Sequence, residues 1–144
     1  MSDAFSDARR RMLDVVAKQG FNGWLAPDII ELTRERLVMD LTIRENLTQH
    51  HGFVHGGVIS ALADIAAAWC GGISSGGDVV TSNYSIHFVA PAVGERIRAC
   101  AVPVKIGKRN ATIRVDVSCF QGDSEKIVAT VLASIAIISP STGQ

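Results

Sequence analysis

From Gly56 to Gly77 the chain is apolar or small at nearly every position and carries one formal charge, Asp64. As a helix, this stretch is apolar around most of its circumference, so other elements must wrap it. Val58, Leu62, Ile65 and Trp69 recur at helical spacing, and Ile59, Ala63 and Ala66 fill the adjoining face. That pattern predicts a buried helix from about Gly56 to Trp69, with Gly71, Gly72, Gly76 and Gly77 as a loose exit loop. An ionised carboxylate in such a helix costs several kcal/mol of solvation unless something compensates it. Asp64 on a short exposed arc would avoid that cost. The sharper reading is a working carboxylate that faces a pocket.

At 144 residues the chain fits one domain, 1–144, with no repeat. Its composition, 47% hydrophobic and 19% charged with zero formal net charge, supports a full core. It also lacks the basic excess that broad nucleic-acid binding needs, so no nucleic-acid partner is expected. No segment reads as membrane-inserting, and the charged start MSDAFSDARRRM has no apolar leader core. Cys70, Cys100 and Cys119 are odd in number and lack metal spacing. They read as free thiols of a reducing compartment, which makes a cytoplasmic location the expectation. A catalytic thiol is the weaker reading, because no charged partner stands close to any of them in sequence.

Residues 4–19 predict an amphipathic helix, with Phe5, Ala8, Met12, Val15 and Val16 on one stripe and Gly20 as its stop. Ile29 to Thr33 and Leu37 to Ile43 read as strands joined by a turn at Arg34, Glu35 and Arg36; Asn46 to Phe53 reads as a polar loop. After the buried helix, strands are expected at Val79 to Val89, Arg96 to Lys105, Asn110 to Phe120 and Lys126 to Ile138. Turns at Pro91 with Gly94, Gly107 with Lys108, and Gly122 with Asp123 separate them. Pro140 and a polar tail close the chain. The order predicts an α+β fold in which a curved antiparallel sheet wraps a long central helix.

His55, Gly56 and Gly57 would begin that helix, where backbone N–H groups lack partners. The glycines permit close approach, and the helix dipole favours negative charge there. These are the ingredients of an oxyanion hole; two turn glycines beside a capping histidine are the plainer alternative. Gly56 and Asp64 stand eight residues apart, about 12 Å along a helix. If both act on one carbonyl, Asp64 must come from a second chain, which implies a two-fold dimer with two equivalent sites. Gln49 can donate to a carbonyl or position a water. His50, His51 and His55 invite a zinc reading, but no tetrahedral set is evident, so no metal is expected. His50 and His51 read as loop or lid residues, and His87 as structural. One of Thr81 and Ser82 should face inward, since adjacent strand residues point oppositely. Its hydroxyl could orient a water or be ordinary strand chemistry. Lys105, Lys108 and Arg109 form a compact basic turn, fit for a phosphorylated handle or for plain solvation.

The segments QHHGFVHGGVISALADIAAAW and TSNYSIHFVAPAVGERI carry a resemblance. Over roughly residues 20–138 the chain resembles hotdog-fold acyl-CoA thioesterases of the phenylacetate-pathway (PaaI-like) group. The resemblance implies homodimers with one continuous sheet, often doubled into homotetramers, and no cofactor. It implies hydrolysis of an acyl-CoA to a free acid and coenzyme A. It makes Asp64 general base or nucleophile and Gly56 the N–H donor to the thioester carbonyl. His55 would shape that turn, and Gln49 would hold the carbonyl or water. Thr81 matches the hydroxyl position counted back from Pro91, and Ser82 matches it counted forward from Asp64. Lys105, Lys108 and Arg109 fall where related enzymes meet coenzyme A phosphates. Ala66, Ala67 and Ala68, with Trp69 beyond, replace the polar residue many members carry there. That leaves room for an aromatic or medium-chain acyl group, or for tight helix packing. The non-enzymatic alternative is an acyl-CoA or lipid binding module on the same fold.

Overall fold

Strand periodicity decides which face of the sheet is dry. Ala111, Ile113, Val115, Val117 and Cys119 are buried and alternate with the more exposed Thr112, Arg114, Asp116 and Ser118. Residues two apart on a strand share a face. Ile97, Ala99 and Ala101 on one neighbouring strand and Ala129, Val131, Ala133 and Ile135 on the other extend that buried face. The computed structural model describes residues 3–139, with side chains from residue 6 onward. Phe5 of the first stripe and Pro140 with the tail lie outside what is described.

The elements are α1 (Asp3–Lys18), α2 (Gly20–Leu25), β1 (Asp28–Leu32), β2 (Leu37–Thr42), α3 (Gly56–Ser75), β3 (Asp78–Phe88), β4 (Arg96–Ile106), β5 (Asn110–Gln121) and β6 (Ser124–Ser139). One six-stranded sheet runs in the order β1-β2-β4-β5-β6-β3, antiparallel throughout. It curves around α3, which packs against β2 to β6. By length and composition α3 could cross a bilayer. In this fold its apolar surface is instead the core: Leu62, Ala63, Ala66, Ala67 and Cys70 have no exposed area. β6, apolar on both faces over much of its length, is an interior strand.

Two expectations are corrected. The long helix does not give way to a loop at Gly71; it continues to Ser75 and stops at Gly76, which is left-handed at φ 74° and donates its N–H to Gly72 O at 2.8 Å. A Cβ on Gly71 would meet Ile135 at 3.0 Å, so the glycine lets the helix lie close on the sheet. That packing outweighs glycine's weak helix propensity. Gly20 does not end helical structure either. It opens α2, which is tied down by the fully buried Leu25 and closed by Ala26 at φ 56°.

The two sheet edges differ. Arg9 of α1 guards β1: its Nε donates to Ile29 O at 2.8 Å and its guanidinium pairs with Asp28. Among the described residues β3 has no partner on its outer side. An open edge with apolar side chains is a template for pairing.

Gly94, between β3 and β4, sits at φ 149°, and a Cβ there would lie 2.3 Å from Phe120 O. Gly94→Ala is therefore expected to destabilise the fold by about 1–3 kcal/mol. A urea titration checks this; an unchanged midpoint would contradict it.

Candidate active site

At the start of α3, His55 is the N-cap, and its Nδ1 accepts from Gly57 N–H at 2.9 Å. Val58 and Ile59 N–H both donate to His55 O, at 2.9 and 3.3 Å. That leaves Gly56 N–H as the first-turn donor with no acceptor among the described residues. The capping-histidine and free-donor readings thus hold together: the histidine occupies one N–H and leaves its neighbour available. The Phe88 ring lies 3.3 Å from where a Cβ on Gly56 would stand. Gly56 and Phe88 line a cavity of about 430 Å³ together with Gln49, Phe53 and Pro91. The loop carrying Gln49 is closed by Gln49 N–H to Phe53 O at 2.8 Å.

Two turns along α3, Asp64 is half-buried. Thr81 Oγ1 donates to its Oδ1 at 2.7 Å, which compensates part of the carboxylate's lost hydration. Ser82 does not reach Asp64; it is exposed and donates to Ser134 O at 2.9 Å. A bulge separates the two hydroxyls: Thr81 pairs with Ile135 and Asn83 with Ser134, leaving Ser82 as the extra residue. Since α3 is unbroken from Gly56 to Asp64, the two groups of one chain are about 12 Å apart.

One contact was not read from the sequence. Ser60 Oγ and Tyr84 OH lie 2.6 Å apart, between the Gly56–Phe88 and Asp64–Thr81 contacts. The available signal was a parity switch. Val79 and Thr81 face α3 before the bulge, whereas Tyr84, Ile86 and Phe88 do so after it. Tyr84 and Phe88 nonetheless stay 37% and 53% exposed, because β3 is an edge.

The other candidates stand apart. Lys105, Lys108 and Arg109 are exposed at the β4–β5 turn. Ala111, just past that turn, pairs with Ile135, which pairs with Thr81, so the turn lies toward the Asp64 end of α3. His50 and His51 are exposed, with ring centroids 4.0 Å apart. His87 is exposed in a groove with Arg114 and Thr130. Among the described residues no three His, Cys, Asp or Glu side chains converge to hold a metal. Burial pushes the Cys70 thiol up, Ser74 only partly offsetting it, which disfavours the thiolate a nucleophile needs.

The thioesterase superfamily profile matches residues 51–126, more than half of the 144-residue chain. The chain is 38% identical over 80 residues to 1,4-dihydroxy-2-naphthoyl-CoA thioesterase 2 of Arabidopsis thaliana, covering 54% of this chain and 51% of that protein. A thioesterase family protein from Silicibacter pomeroyi superposes with a TM-score of 0.82 at 28% identity, over 88% of this chain and 94% of that one. The E. coli PaaI protein from the phenylacetic acid degradation operon superposes with a TM-score of 0.81 at 22% identity, over 92% and 94% of the two chains; this likeness shows the fold. The chain belongs to the thioesterase superfamily and has its hotdog fold.

The cap geometry yields a stability prediction. His55→Ala removes the acceptor for Gly57 N–H and is expected to cost about 1 kcal/mol. Asn at this position, itself a good cap, should recover most of the loss in the same urea titration. Equal midpoints for all three proteins would contradict the capping role.

Proposed function

We propose that this thioesterase superfamily member hydrolyses acyl-CoA thioesters to a free acid and coenzyme A, at sites shared across a two-fold dimer. The observation that carries the reading is the Thr81–Asp64 hydrogen bond, set two helical turns from the free Gly56 N–H. One carboxylate with an oriented hydroxyl and one unpaired N–H are the parts thioester hydrolysis needs. Their separation exceeds the reach of a single carbonyl. Pairing two open β3 edges about a two-fold axis would set the α3 helices antiparallel. Gly56 of one protomer would then face Asp64 of the partner subunit. The exposed apolar groups of β3, Val80, Tyr84 and Phe88, favour that pairing.

In this mechanism the thioester carbonyl oxygen accepts from Gly56 N–H, and charge develops there as the carbonyl carbon becomes tetrahedral. Asp64 takes a proton from the attacking water, with Thr81 fixing the carboxylate. Collapse breaks the C–S bond, and the coenzyme A thiolate leaves and is protonated. Alternatively Asp64 attacks the carbonyl itself, forming an anhydride that water then opens. His55 holds the turn that presents Gly56, and Gln49 beside it would hold the carbonyl or the water. Lys105, Lys108 and Arg109 would meet coenzyme A phosphates as exposed cations. The Arabidopsis relative, named for an acyl-CoA substrate, supports that substrate class. A homotetramer of two such dimers and a cytoplasmic setting complete the reading.

Asp64→Asn is expected to fold and dimerise but to lose about 10²–10⁴-fold in kcat/KM. Thr81→Val should lose less, with the fold retained. The assay is free-thiol release from a panel of aliphatic and aryl acyl-CoAs. Retained activity in Asp64→Asn would contradict the mechanism, and binding without turnover by the unsubstituted protein would favour a binding module. Single turnover in labelled water separates the two routes, because only nucleophilic attack leaves the label in Asp64.

A further inference from the structure

We infer that the acyl group processed at Asp64 carries a second anionic group at its far end, read by Arg11 and Arg34. This rests on the hydrolytic reading above and names the substrate class of that site. A cavity of about 650 Å³ lies between α1, the β1–β2 turn and the C-terminal half of α3. It is within the usual size of a small-molecule site. Met12, Val15, Leu32, Trp69, Ile73 and Val79 supply its apolar lining.

The cavity begins one helical turn beyond Asp64, where α3 and β3 run side by side. Ala68 and Gly72 line it, and they follow Asp64 by one and two helical turns on the same face, about 6 and 12 Å. Val79, two residues before Thr81 on the same face of β3, closes that side. An acyl group whose carbonyl is held at Asp64 can thus extend directly into this space. Ala68, the one of the three alanines after Asp64 that lines the cavity, puts no long side chain at its entry, while Ala66 and Ala67 are packed in the core.

Charge then selects the occupant. Arg9, Arg10, Arg36, Arg96, Arg98 and Arg114 each have an acid partner. Arg44 lies over Trp24 and donates to two backbone carbonyls. Arg11 and Arg34 have neither among the described residues, and both line the cavity. Among the described residues Asp78 is the one acid in the lining, and it accepts from the Ser139 hydroxyl at 2.9 Å. Two exposed guanidiniums without an acid partner among the described residues, in the lining of an apolar space, suit a carboxylate on an apolar stem. The stretch from Asp64 to Ala68 and Gly72, one to two helical turns, matches an ω-carboxyacyl chain of roughly six to ten carbons. An aromatic acyl group with an acidic substituent shares that chemistry.

The test compares suberoyl-CoA with octanoyl-CoA, which differ in the distal carboxylate, by free-thiol release. We expect kcat/KM to favour suberoyl-CoA at least tenfold, and that ratio to fall toward one in an Arg11→Met, Arg34→Met double variant. An Arg11→Lys, Arg34→Lys variant, which keeps the charge, should hold an intermediate ratio. Turnover of both substrates with a ratio near one, or a ratio unchanged in the Met variant, would overturn the inference and leave hydrolysis standing. If no acyl-CoA is turned over, the hydrolytic reading fails, and binding decides the cavity. In a Trp24→Phe background, Trp69 fluorescence should respond saturably to octanoate and at least tenfold more weakly to octan-1-ol. Equal responses would overturn the inference.

Discussion

The structure depends on burying α3. A 20-residue helix of this composition cannot rest on a surface with most of its circumference wet. The sheet supplies the cover: β2, β4, β5 and β6 present alternating small and branched residues, and the helix lies close because its contact residues are Ala63, Ala66, Ala67 and Gly71. The face toward the edge strand β3 is less than fully enclosed. Ser60, Asp64 and Ala68 lie there, four residues apart and each half-buried. A charge on this helix is tolerated in that seam, where Thr81 donates to it, and would not be tolerated one residue to either side.

The seam also explains how the candidate groups are divided. Helix geometry separates the free N–H at Gly56 from the carboxylate at Asp64, and the bulge at Ser82 aims Thr81, Tyr84 and Phe88 at the same side of β3. An edge strand is where such a bulge is least disruptive, since only one ladder is broken. The same edge leaves Tyr84 and Phe88 partly uncovered. Incomplete burial of the seam and separation of the polar groups point to the same remedy, a second copy of the chain. In the proposed dimer, with Gly56 set against Asp64 of the partner subunit, Ser60 would fall at the midpoint and near the axis.

What was legible in the sequence follows from range. The strands announced themselves by alternation, and α3 by its period and its single charge, because both are local patterns. The end of α3 was not legible: Gly71 and Gly72 look like breakers until their packing on Ile135 and Val79 is known. The helix α2 was hidden by two glycines in six residues, and it is held by tertiary burial of Leu25 rather than by propensity. Asp64, Gly56, His55 and Gln49 could be named from spacing, whereas choosing Thr81 over Ser82 required the register of β3 on β6. The Tyr84–Ser60 contact shows locally only as the parity switch along β3, and the cavity beneath α1 depends on how separate elements dock, which no local pattern encodes.

The claim at the centre is that each site takes Gly56 from one chain and Asp64 from the other. It is tested most directly by a purified mixed dimer of an Asp64→Asn chain and a Gly56→Pro chain. Proline at the first helical position keeps the helix start and removes the N–H; His55, at ψ 135°, already has the backbone that a following proline requires. Both parent dimers should be inactive toward acyl-CoA. If the sites are shared, the mixed dimer contains one intact site of two, and its activity returns to about half that of the unsubstituted protein. If each site is built within one chain, both sites of the mixed dimer are broken, and activity no higher than that of the parents would contradict the account.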